Sequence, residues 1–192
     1  MTTEKKGKLF IISGPSGAGK STILRSVLET MPELYFSVSA TTRGPRPGEI
    51  HGEHYHFMEQ DAFDSLVEED GLLEYAQYVG NSYGTPAGPI REKLDAGVDV
   101  LLDIEVQGAE QVKDKMPEAV AIFLSPPSLA ILEERLRNRG TDREEKIKSR
   151  LETAKRELEH VDRYDYVVIN DTIERAVKEV LNIVKSKGGS PS

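Results

Sequence analysis

The segment Gly14-Pro15-Ser16-Gly17-Ala18-Gly19-Lys20-Ser21 matches the pattern G-x-x-x-x-G-K-[ST] in full, and no other stretch limits the fold as tightly. The pattern functions only between a strand and a helix. Its glycines let the backbone curl so that successive N–H groups converge on phosphate oxygens, and a helix opening behind them adds its positive end. The flanks supply both elements. Leu9-Phe10-Ile11-Ile12 reads as a buried strand. Ser21 to Met31 reads as a helix with its apolar stripe at Ile23, Leu24, Val27, Leu28 and Met31, stopped by Pro32. In such a loop the lysine, Lys20, sets a point charge on the β- and γ-phosphates of a nucleoside triphosphate. The Ser21 hydroxyl is the expected Mg²⁺ ligand, and Thr22 extends the nucleotide-binding run.

The rest of the chain alternates strands with helices. Val98 to Leu102, Ala119 to Leu124 and Tyr166 to Ile169 read as further buried strands. The helix expected before the first of these, over 87–96, stops at Gly97. Asp142 to His160 carries a helical stripe at Ile147, Leu151, Ala154 and Leu158, with Thr141 and Glu144 as a capping box at its start. Ile173 to Lys185 is a last amphipathic helix. This order predicts an α/β fold, a parallel sheet flanked by helices. Residues 37–85, rich in Gly, Pro, Tyr and His, break the rhythm and read as a small mixed β insertion, with strand-like pieces at His54 to Met58 and Leu72 to Tyr78. Residues 126–157 read as an arginine-rich helical flap set off by Pro126-Pro127. The core is thereby assigned to 1–36, 86–125 and 158–187, and a flexible tail to 188–192.

A chain of 192 residues suits one compact unit with inserted subdomains. It has no cysteine, which excludes disulfides and Cys-ligated zinc. A formal charge of -8 argues against nucleic acid as a partner. No apolar run approaches the roughly 20 residues that span a bilayer, so no membrane role is expected. The apolar run after Lys8 is too short for a signal peptide, and a cytoplasmic protein is expected.

Val100-Leu101-Leu102-Asp103 is an apolar strand ending in an acid, the form taken by the acidic partner of a phosphate loop. Asp103 and Glu105 lie two apart and point the same way on an extended chain, at the carboxyl end of the sheet where α/β folds bind ligands.

The segment from Ser37 to Glu49 (SVSATTRGPRPGE) closely resembles the signature of guanylate kinases. So do Gly52-Glu53-His54-Tyr55-His56-Phe57, Glu74-Tyr75-Ala76, Tyr83-Gly84-Thr85 and Leu102-Asp103-Ile104-Glu105-Val106-Gln107-Gly108. The resemblance runs in order from the phosphate loop to about residue 185. It implies ATP with Mg²⁺ as donor and GMP, with dGMP, as acceptor. It makes 37–85 a GMP-binding insertion and 126–157 a lid. It implies that Arg43 and Arg46 clamp the acceptor phosphate, helped by the Tyr55 and Tyr83 hydroxyls; arginine forks match phosphate oxygens in pairs. Ser39 and Glu74 resemble the readers of guanine, with Thr85 and either Asp103 or Glu105 beside them. One carboxylate can accept both the N1–H and N2–H of guanine, which adenine cannot offer. In the lid, Arg135 and Arg139, four apart on one helix, and Arg150 on the next resemble the arginines that touch the transferring group. Asn170 stands where the family holds the adenine base.

Each of these residues alone has a plainer reading: solvated loop arginines, a surface acid, core tyrosines, a charge-balanced helix face. They gain meaning by matching one ordered pattern. His54 and His56 share a strand face, but no acidic or Cys motif accompanies them, so packing and polar roles are expected rather than metal binding. The implied chemistry is in-line attack of an already anionic GMP phosphate oxygen on the γ-phosphorus, driven by positioning and by positive charge from Lys20 and the arginines. Alternatives are a kinase for another monophosphate, a non-catalytic binding module of similar fold, and a GTPase; the last lacks an Asn-Lys-x-Asp motif here. The sequence leaves open whether the chain acts alone or as a homodimer.

Overall fold

The computed structural model describes residues 6–138, 140 and 142–189. The chain begins with β1 (Leu9–Ser13), buried at all five positions as a strand covered on both faces must be. It passes through the glycine loop into α1 (Lys20–Thr30) and then β2 (Tyr35–Phe36). The insertion follows, with β3 (Ala40–Thr41), β4 (His56–Phe57), α2 (Gln60–Glu68), β5 (Leu72–Tyr78) and β6 (Asn81–Pro86). The chain then returns through α3 (Ala87–Asp95), β7 (Val100–Asp103), α4 (Val106–Lys115) and β8 (Val120–Ser125). Two helices, α5 (Leu129–Asn138) and α6 (Glu144–Leu158), precede β9 (Tyr166–Ile169) and α7 (Ile173–Lys187).

The main sheet has the order β2-β7-β1-β8-β9, and every pair in it is parallel. The chain leaves β1 toward one edge and later returns to its other side, so the glycine loop stands at the carboxyl end where the winding reverses. One face packs Phe10, Ile12, Ile122 and Leu124 against α1 and α7. The other packs Leu9, Ile11 and Leu102 against Ile90 of α3 and Val112 of α4. The second sheet is mixed, in the order β4-β3-β6-β5, and rests on a small core of Ala40, Phe63 and Leu72. No described helix is long and apolar enough to cross a membrane.

Gly97 stops α3 as expected. At φ 78° it lets Val98 N donate to Lys93 O at 2.9 Å and Gly97 N to Leu94 O at 3.1 Å, so the strand starts only at Val100. Four details differ from the sequence reading. The insertion contains a helix, α2, whose Phe63 is buried against the small sheet. Another helix, α4, fills the stretch after Glu105, where the sequence reading names no element. The expected capping box does not form at α6, which starts at Glu144 with Arg143 as its N-cap. Glu144 is therefore the first helical residue rather than the third, and Thr141 lies outside the described residues. Finally, the chain past Lys187 is tied down for two residues, since Gly189 N donates to Asp99 Oδ1 at 2.8 Å; 190–192 lie outside the described residues.

The β5–β6 hairpin turns through Val79 and Gly80 alone, with φ of 48° and 75°. That is the primed turn that matches strand twist, and it suits Asn-Gly far better than a β-branched residue. Val79 is also 79% exposed and gains little from packing. Val79→Asn should therefore raise stability by roughly 1 kcal/mol in urea unfolding and leave turnover unchanged.

Candidate active site

The glycine loop is shaped by what it packs against. Gly17 and Gly19 have φ of 97° and 93°, in the left-handed region. A Cβ on Gly17 would stand 2.9 Å from Leu132 Cδ1, and one on Gly19 would stand 2.4 Å from Asn170 Nδ2. The loop is thus pressed between α5 on one side and the end of β9 on the other. Gly19 is the N-cap of α1 and supplies no side-chain bond, so the first N–H groups of the helix keep their donors for an anion. Lys20 Nζ folds back to donate to Gly14 O at 2.7 Å. The side chains of Ser21 and Thr22 open to solvent beside it.

Asn170 closes the other side. It is 3% exposed and its Nδ2 donates to Ala18 O at 2.6 Å. That carbonyl can take only a donor, which fixes the orientation of the amide. Oδ1 is left buried with no hydrogen bond among the described residues. Arg135 Nη2 donates to Asn170 O at 2.8 Å, so Arg135 belongs to this edge of the loop. Arg150 is directed elsewhere: its Nη1 pairs with Asp142 Oδ2 at 3.0 Å, and Lys146 holds the other oxygen of that buried carboxylate at 2.7 Å. Arg139 lies outside the described residues.

The acceptor candidates sit on the small sheet. Arg43 gives two parallel bonds to Glu49, from Nη1 to Oε2 and from Nη2 to Oε1, each at 2.9 Å, and Nη1 also reaches Gly44 O at 2.7 Å. Its Cζ lies 5.4 Å from the Tyr55 ring centre and 5.7 Å from that of Phe57, and Tyr83 stands edge-on to Tyr55 at 6.2 Å. Three of five guanidinium N–H groups are thus occupied. The Tyr83 hydroxyl lies against the same guanidinium and adds a further side-chain bond, so Glu49, Gly44 and Tyr83 together hold Arg43 in place. Arg46 has an exposed side chain, and its backbone N–H donates to Glu49 Oε2 at 2.7 Å. The Arg43 hydrogen bonds, then that of Arg46 N–H, hold the Glu49 carboxyl down to about 2. Glu49 lies inside the resemblance, but the sequence reading gives it no role; its spacing from Arg43 across a Pro-Gly turn is the available signal.

Glu74 is 8% exposed. Thr85 Oγ1 donates to its Oε1 at 2.5 Å. Burial raises this carboxyl; the Thr85 hydroxyl works against that, and Glu105 adds to it. Ser39 is half-buried just before β3, its carbonyl taking His56 N–H at 2.8 Å. His51 and His54 spend Nδ1 on backbone N–H groups of Phe57 and Ile50, at 3.2 and 3.1 Å, and so shape the turn that carries Tyr55.

One set of charges joins the two halves. Asp103 and Glu105 are exposed at the carboxyl edge of the main sheet. Protein crowds Asp103 on several sides and raises its carboxyl, Lys20 lowers it, and Glu105 raises it again. Glu105 therefore acts on both Glu74 of the acceptor half and Asp103 of the phosphate-loop half. Glu157 in the last turn of α6 joins them: burial raises it, Glu105 adds, and Lys20 opposes. Nothing in the sequence marks Glu157. The site thus offers uncapped N–H groups and a lysine beside a serine hydroxyl and a carboxylate. Those are hard oxygen donors of the kind Mg²⁺ takes alongside phosphate.

The family model for guanylate kinase matches residues 6–187. A guanylate kinase of Desulfitobacterium hafniense is 50% identical over 181 residues, covering 94% of this chain and 90% of its own. One from Thermus thermophilus is 52% identical over 182 residues, covering 95% and 82%. The crystal structure of guanylate kinase from Anaplasma phagocytophilum superposes with a TM-score of 0.76 at 33% identity, over 97% of this chain and 88% of that one. A gluconokinase from Sinorhizobium meliloti 1021, at 18% identity and a TM-score of 0.52, shares the fold alone.

Proposed function

Since the chain belongs to the guanylate kinase family, we propose that its glycine loop holds ATP and that its small sheet holds GMP for in-line transfer between them. The reaction is transfer of the γ-phosphate of ATP to GMP, giving ADP and GDP. The observation that carries the residue assignment is the buried Glu74 carboxylate, held at one oxygen by Thr85 on the small sheet, with the uncapped start of α1 and Lys20 at the carboxyl end of the main sheet.

On the donor side, the N–H groups at the start of α1 and the Lys20 ammonium bind the ATP phosphates. The orphaned Asn170 Oδ1 is an acceptor of the kind the adenine amino group needs. Mg²⁺ would be held by Ser21, with Asp103 beside it, and would supply charge neutralisation between the phosphates. On the acceptor side, Arg43, with Arg46, Tyr55 and Tyr83, takes the GMP phosphate. Glu74 accepts from N1–H and N2–H of guanine while Thr85 holds its other oxygen, and Ser39 faces the same base. The attacking phosphate oxygen is anionic near neutral pH, so these residues orient and neutralise rather than remove a proton. Arg135 is positioned at the loop, and Arg139 and Arg150 complete the positive charge when 126–157 closes as a lid. dGMP presents the same phosphate and the same base edge, so it is taken as an acceptor as well.

ADP formation from MgATP, followed with GMP, dGMP, AMP, CMP, UMP and dTMP and without acceptor, tests this reading. Turnover should be confined to GMP and dGMP. Equal turnover with AMP would overturn the Glu74 assignment, and ADP release without acceptor would point to a hydrolase.

A further inference from the structure

The guanine-reading carboxylate sits on an edge strand, directly after an irregularity in its pairing. β5 lies at the edge of the small sheet and pairs with β6 alone. The register shifts between Leu72 and Glu74, directly before the carboxylate, and such an irregularity interrupts the ladder. The partner opposite Leu72 is Pro86, which has no N–H to give. Yet Glu74 must be fixed within a few tenths of an ångström to meet two donors on one base edge.

The missing support comes from a helix of the other sheet. Gly108, Gln111 and Lys115 of α4 lie three and four residues apart and face β5 together. Gly108 makes room: a Cβ there would stand 2.7 Å from Glu74 Oε2. Lys115 Nζ donates to Leu72 O at 2.8 Å and to Asp70 Oδ1 at 2.5 Å. Gln111 does more. Its Oε1 accepts from Tyr75 N at 3.1 Å, and its Nε2 donates to Tyr75 O at 3.1 Å. One amide thus holds both polar groups of the residue after Glu74, as a neighbouring strand would.

We infer that Gln111 is a positioning residue for guanine selection, which fixes Glu74 through the Tyr75 backbone and so couples acceptor specificity to the main sheet. The inference rests on Glu74 as the reader of guanine. Gln111 touches neither substrate. Its loss therefore acts on discrimination between acceptors that differ only at the base edge Glu74 meets. IMP is the suitable probe, because it keeps N1–H and lacks the exocyclic amine of GMP.

The test compares kcat/KM for GMP and IMP in wild type, Gln111→Ala, Glu74→Gln and the double variant. Gln111→Met, which keeps the side-chain stem and loses both hydrogen bonds, guards against a folding failure in the alanine protein. Gln111→Ala and Gln111→Met should lower the GMP to IMP ratio about tenfold, mainly through the KM for GMP, with the KM for ATP unchanged. Hydrogen exchange at the Tyr75 amide should quicken, and in the Glu74→Gln background the Gln111 effect should disappear. Equal losses for both acceptors, or a Gln111 effect that persists undiminished without the carboxylate, would overturn the inference. The two readings fail separately. A ratio unchanged in Glu74→Gln sinks the assignment of Glu74. A ratio lost in Glu74→Gln and untouched in Gln111→Ala sinks the role of Gln111.

Discussion

Lys20→Ala should lower kcat by roughly a thousandfold or more while the protein stays folded. The size follows from where the charge acts. The ammonium lies beside the uncapped start of α1 and within electrostatic reach of Asp103. There it meets the charge on the phosphoryl group as transfer proceeds, a contribution made more strongly in the transition state than in the ground state. The fold survives because the side chain is only half-buried and its hydrogen bond goes to Gly14 O, a neutral backbone carbonyl. No buried partner is left charged and alone. Steady-state rates with circular dichroism on the same sample check both halves of the expectation. Near-normal kcat in the folded variant would remove Lys20 from the mechanism.

Glu74→Gln should cost GMP about 10³- to 10⁴-fold in kcat/KM. The amide can still accept from Thr85 through its oxygen, so its NH₂ group is turned toward the base. Donor then meets donor at the guanine edge, and a buried polar group is left unpaired. The same variant should gain stability at neutral pH. Burial raises the Glu74 carboxyl in the folded protein, with Glu105 adding and Thr85 opposing. An acid raised by folding imposes no penalty below its unfolded value, near 4.5, where it is protonated in both states. The penalty grows as pH rises through the folded value, when the carboxylate must be ionised in a buried place. The stability gained by glutamine should accordingly be largest above that range and fade below about pH 4.5. Urea unfolding of both proteins at pH 4 and pH 7 reads the difference. A loss of stability at pH 7 would show that ionised Glu74 is held more favourably than its burial implies.

The two halves of the site are not equally visible in the amino-acid order. The donor loop is, because its chemistry is local: glycines, lysine and serine act through a backbone they shape themselves within eight consecutive positions. The sheet is, because β1 and β7 are continuous apolar runs. The helix α2 is hidden by its length of nine residues inside a segment broken by glycines, and α4 by having few apolar residues to mark a face. Partners far along the chain are hidden altogether. Asn170 meets Ala18 across 152 positions, and Gln111 meets Tyr75 across 36. Periodicity reports which side of an element is buried and says nothing of which distant amide will face it. Arg150 shows the converse. Its position matches a pattern, and only the fold reveals that a buried Asp142 holds it in this state.

The arrangement around Arg43 bears on how fast and how tightly a phosphate is captured. A free arginine samples many rotamers, and a ligand that needs one of them must overcome that disorder at the moment of binding. Here Glu49 and the Gly44 carbonyl have already selected the rotamer. The loss of side-chain entropy falls on folding, before any acceptor arrives. The incoming phosphate meets a rigid receptor, and a carboxylate that would otherwise only repel it serves to keep that receptor in one shape.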